Sequence, residues 1–345
     1  MAEDQEEFEE IQFPPSLPSC LTENVVNCSQ RPGVPLDEKT FAKMFDSDGR
    51  LVNEHQLRQM TFAGGVEPRI RRRVWSFLFG VYPFNSTTRE REAIQSDHQA
   101  KYIAMCERWP KFLEESEFFH HDVPQHCDIS AYAAPPSPSS DLNIPFKMMK
   151  LQADIHAGQQ KFDLKSLVTS IQIIDKDVPR TDRNLTFFSG SSNPHLRVIR
   201  NILATFAAFN PNIGYAQGMN DILARFILVL QSEVDAYWCF SHFMERMKSD
   251  FIEDGVLNKL HDIRELVLEI DPDLLQYLAE VHIDDMTFCH RWMLLCFKRE
   301  FTFEDSLRCF EMLCSHHLEQ NSMQAQLKRE QERQKEFLQT RLEIN

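Results

Sequence analysis

No two of the nine cysteines form a C-x-x-C pair; they stand scattered at 20, 28, 106, 127, 239, 289, 296, 309 and 314. That pattern excludes a disulfide framework and a zinc ribbon, and it fits a reduced compartment. Excess positive charge is also missing, since 52 acidic residues against 37 basic ones leave a net charge of -15. Nucleic acid and anionic membrane surfaces call for a basic patch, so neither is an expected partner, and a basic protein surface fits better. No basic-then-apolar leader opens the chain, and the best apolar run, Phe226 to Leu230, is far too short to span a bilayer. A cytoplasmic protein is therefore expected, with any membrane association peripheral. Alternation of useful length is absent as well, which argues against a sheet. Finally, there is no G-x-x-x-x-G-K-[ST] loop, so the chain by itself is not expected to hydrolyse a nucleoside triphosphate.

What is present is globular: 42% of the 345 residues are hydrophobic and 26% charged, enough for one large or two ordinary domains. Residues 1–40 read as a disordered acidic, proline-rich tail, with six carboxylates between Met1 and Ile11. Helical spacing dominates thereafter. Phe41, Met44 and Phe45 share a face ahead of a turn at Asp46-Ser47-Asp48-Gly49, whose early glycine and Arg50 do not fit a calcium loop. Pro68 opens a helix through Ile70, Val74, Phe77 and Leu78 that Gly80 stops, with Arg71, Arg72 and Arg73 as a solvated basic cluster.

A long helix runs from Thr88, and an insertion loop is expected at about 120–160. Its His120, His121, His126 and Cys127 match no finger spacing, so no metal site is expected. Pro194 to Phe209, a helix opened by Ser232-x-x-Asp235, Gly255 to Ile270, and a short helix capped by Asp271-Pro272 follow. Residues 316–345 read as a polar, charged tail, helical or disordered, with no apolar side chain from Lys328 to Glu336. The fold class is all-α, an irregular multi-helix array without solenoid periodicity.

The chemistry concentrates between Ile171 and Met219. Pro179 disfavours helical geometry at Val178 and so releases Arg180 into a polar loop, Thr181 to Asn184. Beyond the apolar Pro194 helix, Pro211 and Gly214 break the chain, and Gln217 falls in the first turn of a helix carrying Met219, Ile222, Leu223 and Phe226. A guanidinium and a carboxamide at helix ends supply fixed donors to a phosphoryl group without a cofactor. Lone loop arginines more often make surface ion pairs.

Ile174, Asp177 and Arg180 in I-x-x-D-x-x-R, followed by Tyr215, Gln217, Gly218 and Met219 in Y-x-Q-G-M, resemble the paired signature of TBC-domain Rab GTPase-activating proteins. Arg71 and Trp75 match the R-x-x-x-W of that family, and Trp292 to Phe301 resembles a further segment; the resemblance covers roughly residues 41–315. It implies an arginine finger at Arg180 and a glutamine finger at Gln217, acting in trans on GTP and Mg²⁺ held by a Rab GTPase, with no cofactor of the chain's own. Asp177 would steady Arg180, and Arg71 and Trp75 would be scaffold. Vesicle trafficking is the implied setting.

The family's last helices are expected to be missing after Cys314, and the resemblance therefore also admits a shortened domain that binds a GTPase or adaptor without turnover. Glu6 to Ile11 resembles the short motif that docks on autophagy-related ubiquitin-like proteins, with Phe8 and Ile11 as its two anchors.

Overall fold

Side-chain oxygens decide where most of the helices begin. A computed structural model describes residues 33–115, 144–190, 193–251, 255–321 and 323, and these hold thirteen α-helices. Asp37 caps α1 (Glu38–Ala42) and Asn53 caps α2 (Glu54–Gly64), each accepting from a first-turn backbone N–H. Pro68 occupies the first position of α3 (Pro68–Leu78), where its missing N–H is not needed. The long α4 (Thr88–Glu115) and α5 (Ile144–Gln159) follow. Asp163 caps α6 (Leu164–Asp177), Asn193 caps α7 (Pro194–Phe209), and α8 (Met219–Leu230) starts at Gly218. Ser232 accepts from Asp235 N–H to open α9 (Glu233–Met247). Then come α10 (Gly255–Ile270), α11 (Pro272–Glu280) capped by Asp271, α12 (His290–Leu294) and α13 (Phe303–Cys314) capped by Thr302. Among the described residues extended pairing is limited to two isolated bridges, Leu36 with Val66 and Phe45 with Leu51.

The core gathers on α8, which is buried on almost every side and packs against α7 and α9. Phe226 from α8 meets Phe79 at 4.7 Å, Trp75 at 5.6 Å and Phe310 at 5.7 Å between ring centroids. Edge-on aromatic contacts of this kind add to the burial of large apolar area. α7 is more than a one-sided stripe: Asn201, Ile202, Ala204 and Thr205 are buried along with Leu196, Ile199, Leu203 and Phe206. Placed between α6 and α8, it separates the two motif segments in sequence while packing on both in space.

The segment expected as a loop at 120–160 divides. Residues 120–143, with their histidines and Cys127, lie outside the described residues, whereas residues 144–159 form α5 and pack along α4. Ala153 and Ala157 sit against Ala100 and Ala104, so two backbones approach through alanines. Such a seam leaves little apolar periodicity in the sequence, since Met148, Leu151 and Ile155 face outward. The turn at Asp46 is closed by the aspartate's own side chain: Asp46 Oδ1 accepts from the N–H of Asp48 and Arg50.

After α13 the chain turns back on itself. Ser315 O accepts from Arg58 Nη1, and His317 is buried with its ring 5.3 Å from that of His55 and 5.4 Å from Phe62. The polar segment expected from residue 316 therefore begins with residues packed on α2. Phe8, Ile11 and residues 324–345 lie outside the described residues.

Candidate functional site

α6 buries Leu167, Ser170, Ile171, Ile174 and Asp177 along one face, which brings the Asp177 carboxylate inward at the helix end. Contrary to the local effect expected of Pro179, Val178 stays in the right-handed helical region at φ -57°, ψ -45°. Its N–H bonds to Ile174 O and its side chain is buried, so tertiary packing overrides the pre-proline preference. The chain tightens into a 3₁₀ turn, Val178–Arg180, and leaves helical geometry only at Thr181. Arg180 ends that turn with 61% of its side chain exposed, and its Nη2 lies 2.5 Å from Asp177 Oδ1. Arg183 is differently engaged: its Nη1 and Nη2 donate to the carbonyls of Phe188 and Gly190, which folds the loop around it.

Gln217 is exposed and precedes α8 rather than lying in its first turn. The cause is Gly218, whose φ of +102° turns the chain just before the helix. A Cβ at Gly218 would come within 3.0 Å of Leu295, so both the backbone conformation and the close approach call for glycine. Ile174 and Met219 are fully buried beneath these two segments, and Met219 Sδ accepts from Ala216 N–H.

A buried hydrogen-bond network joins the two. The Tyr215 hydroxyl donates to Asp177 Oδ2 at 2.9 Å, while Asp177 Oδ1 faces Arg180. Asn220 Nδ2 donates to Thr181 Oγ1 at 2.9 Å, Thr181 Oγ1 donates to the Asp177 carbonyl, and Asn220 Oδ1 accepts from Gly218 N–H. Burial, reinforced by the neighbouring Asp177 carboxylate, pushes the Tyr215 phenol up, so it acts as a fixed donor. One carboxylate thus holds the arginine and, through a tyrosine, the segment carrying the glutamine.

Beside the 3₁₀ turn lies a cleft of about 680 Å³ lined by Val178, Pro179, Arg183, Asn193, Leu196, Arg197 and Arg200. Its three arginines make this face locally basic within an acidic chain. Arg200 is paired with Asp175.

Arg71 and Trp75 take no part in this network and bond to Glu311 instead. Arg71 is buried, with Nε 2.8 Å from Glu311 Oε1, and Trp75 Nε1 donates to the same oxygen at 2.9 Å. Val66 N–H takes Glu311 Oε2 at 2.9 Å, so three donors from one stretch converge on one carboxylate of α13. Arg71 does not belong to a solvated basic face; Arg72 and Arg73 do, paired with Asp235 and Glu38.

Thr181, Asn220 and Glu311 are absent from the sequence-based set. Glu311 carried a signal, a lone acid in the apolar stretch Phe310 to Cys314, whereas Thr181 and Asn220 look like ordinary polar residues beside the motifs. Among the described residues no cluster of three or more His, Cys, Asp or Glu is placed to hold a metal, and no helix is long and apolar enough to cross a membrane.

The Rab-GTPase-TBC domain family model matches residues 68–334. Human TBC1 domain family member 17 is 30% identical over 283 residues, covering 81% of this chain and 37% of that protein. Human TBC1 domain family member 25 is 31% identical over 284 residues, covering 81% and 34%. The GTPase-activating protein GYP7 of Candida glabrata is 28% identical over 298 residues, covering 85% and 37%. This chain thus spans little more than a third of the length of these relatives. The fold is similar to the crystal structure of the Ypt/Rab-GAP domain of Gyp1p, with a TM-score of 0.58 at 19% identity over 81% of this chain and 78% of that one. An all-α fold shared with that domain, and a family match spanning well over half of the sequence, lead to one assignment: the chain belongs to the Rab-GTPase-TBC domain family.

Proposed function

We propose that the chain stimulates GTP hydrolysis by a Rab-family small GTPase, with Arg180 and Gln217 entering the partner's nucleotide site. The observation that carries this reading is that both side chains are exposed while the segments bearing them share one buried network through Asp177, Tyr215, Asn220 and Thr181. Phosphoryl transfer is governed by positioning and electrostatics, and an arginine supplied in trans is worth about 10³ to 10⁵ in rate. Among the described residues Arg180 is engaged through Nη2 alone, which leaves its other donors for charge developing on the β- and γ-phosphate oxygens. The Gln217 carboxamide both donates and accepts, as orienting an attacking water requires. GTP and its Mg²⁺ belong to the partner. On this reading the chain works from the cytoplasm on GTPases of trafficking membranes; docking of ubiquitin-like autophagy proteins through Phe8 and Ile11 is a separate proposal, carried by the sequence motif alone.

Single-turnover GTP hydrolysis across a panel of purified Rabs, with and without the protein, tests the proposal. Arg180→Ala and Gln217→Ala should each lose most of the acceleration and keep docking, because both groups act in the transition state. Arg180→Lys should fall nearly as far as Arg180→Ala, since a point charge does not replace the planar fork. Asp177→Ala should weaken turnover less than either. If Arg183→Ala abolishes activity while Arg180→Ala retains it, the assignment of the arginine is wrong.

A further inference from the structure

We infer that Lys298 is a positioning residue whose buried ammonium clamps the loop after Arg180 to the helix after Gln217 and so sets how the two side chains stand relative to each other. This deepens the reading above and rests on it for its consequence in turnover. Lys298 Nζ lies 2.5 Å from Asp182 Oδ2 and 3.1 Å from Asp221 Oδ1, with only 5% of its side chain exposed. Asp182 stands two residues beyond Arg180, and Asp221 stands four beyond Gln217, in the first turn of α8. The second oxygen of Asp221 takes Arg299 Nη2 at 2.7 Å. Four alternating charges, Asp182, Lys298, Asp221 and Arg299, therefore run across the seam between the two motif segments.

The chain around Lys298 is arranged to deliver it there. Arg225, fully buried in α8, donates through Nη2 to the carbonyls of Leu295 and Cys296 and lies over the Phe310 ring, 4.6 Å from its centroid. Cys296 and Phe297 both take left-handed backbone, φ 47° and 58°, an unfavourable pair for residues with side chains. Through that turn the segment reverses and directs Lys298 inward. Asp182 itself is left-handed at φ 43°, a conformation aspartate tolerates better than most, and it reverses the loop toward the lysine. Burial opposes the charge on Asp221, yet Lys298 and Arg299 outweigh it and hold that carboxyl below the usual carboxylate range.

A general stabilising role does not account for this placement. The neutral link from Asn220 to Thr181 already joins the two segments on one side. The ionic clamp grips the same loop one residue later, at Asp182, so the residue after Arg180 and the one after that are both tied to α8 or to the segment pinned on it. Held at two successive points, the loop cannot pivot about Thr181. An arginine and a glutamine that must meet one phosphate group at once need that restriction, because near-attack geometry is lost with displacements of about 1 Å.

The test uses Asp182→Asn, Lys298→Met and Lys298→Arg in the full chain, with Lys259→Met as control. Lys259 Nζ makes an ion pair of the same chemistry with buried Asp250 at 2.5 Å, and neither residue is a member of the Asp182–Lys298–Asp221–Arg299 chain. Asp182→Asn removes the charge from the loop arm, leaving at most a neutral amide acceptor there, and keeps Lys298 with Asp221, so it stays folded even if Lys298→Met does not. Two measurements are made: hydrogen exchange at the amides of Thr181 and Leu185, and kcat and KM against a Rab accelerated by the unaltered protein. Asp182→Asn and Lys298→Met should speed loop exchange at least about tenfold. They should lower kcat about tenfold to a hundredfold with KM within about threefold, and the double variant should fall no further than the worse single. Lys298→Arg should restore part of kcat, and Lys259→Met should lower the melting temperature while leaving both readouts in place. Unchanged loop exchange, or unchanged kcat per folded molecule in Asp182→Asn, overturns the clamp. Should the unaltered protein accelerate no GTPase, the activating function falls, while the exchange measurement still decides the clamp.

Discussion

Removing the carboxylate of Glu311 should unfold most of the domain. The side chain is fully buried and receives Arg71 Nε, Trp75 Nε1 and Val66 N–H. Glu311→Ala leaves the Arg71 guanidinium, 9% exposed, with only the exposed Glu304 carboxylate at 3.3 Å and the Val66 carbonyl, and breaking a buried ion pair from one side costs about 3–5 kcal/mol. The indole and amide N–H groups left without acceptors add about 1–3 kcal/mol each, less whatever relaxation and non-additivity return. A total of about 5 kcal/mol or more is set against a whole-domain stability of about 5–15 kcal/mol. Glu311→Gln keeps one oxygen for Arg71 and Trp75 but turns an NH₂ toward Val66 N–H, and about 2–4 kcal/mol is expected. The double change Arg71→Met with Glu311→Leu should be milder than Glu311→Ala, because no buried charge is left unpaired. Urea unfolding followed by tryptophan fluorescence reads the midpoints, with the slope checked for constancy. If Glu311→Ala unfolds within about 1 kcal/mol of the unaltered protein, the three-donor account of Arg71 and Trp75 is wrong.

Two further outcomes follow from single residues. The His98 ring stacks on Trp238 with centroids 4.2 Å apart, and burial, helped by nearby His242, pushes its pKa down to about 4 from an ordinary 6.5. Protons then favour the unfolded chain, so this contribution is intact above pH 6.5 and up to about 3 kcal/mol is lost as pH falls toward 4. Urea melts at pH 7.5 and 5 should show that slope and His98→Gln should flatten it; equal slopes in the two proteins would count against it. Gly218→Ala should lose about 1–3 kcal/mol from strain at φ +102° and from the 3.0 Å contact with Leu295. It should also lower any turnover that depends on Gln217, and a crystal structure with Gln217 unmoved would remove the reason for expecting that.

Much of this molecule is local chemistry. Caps at Asp37, Asn53, Asp163, Asn193, Ser232, Asp271 and Thr302 act within a few residues of themselves, and prolines 68, 194 and 272 act on their own φ. Helical spacing and the lack of alternation therefore sufficed for an all-α array, and the two motif segments were legible because their residues sit within seven positions of one another. Where local rules failed, a distant group had intervened. Packing held Val178 helical before Pro179, Gly218 turned the chain at φ +102° against Leu295 and left Gln217 ahead of α8, and the alanine seam against α4 made a helix of residues 144–159.

The sequence by itself determined which residues could cap, break or line a helix, and it marked Arg180 and Gln217 as polar groups at helix ends. Only the tertiary structure decided what those groups lean on: Asp177 with Tyr215, Thr181 with Asn220, Asp182 and Asp221 with Lys298, and Arg71 with Glu311, which lies 240 positions away. Periodicity reports which face of a helix is apolar and is silent about which buried polar group will find which partner. Those pairings arise when desolvated donors and acceptors from remote segments satisfy each other, and that requirement exists only once the core has closed around them.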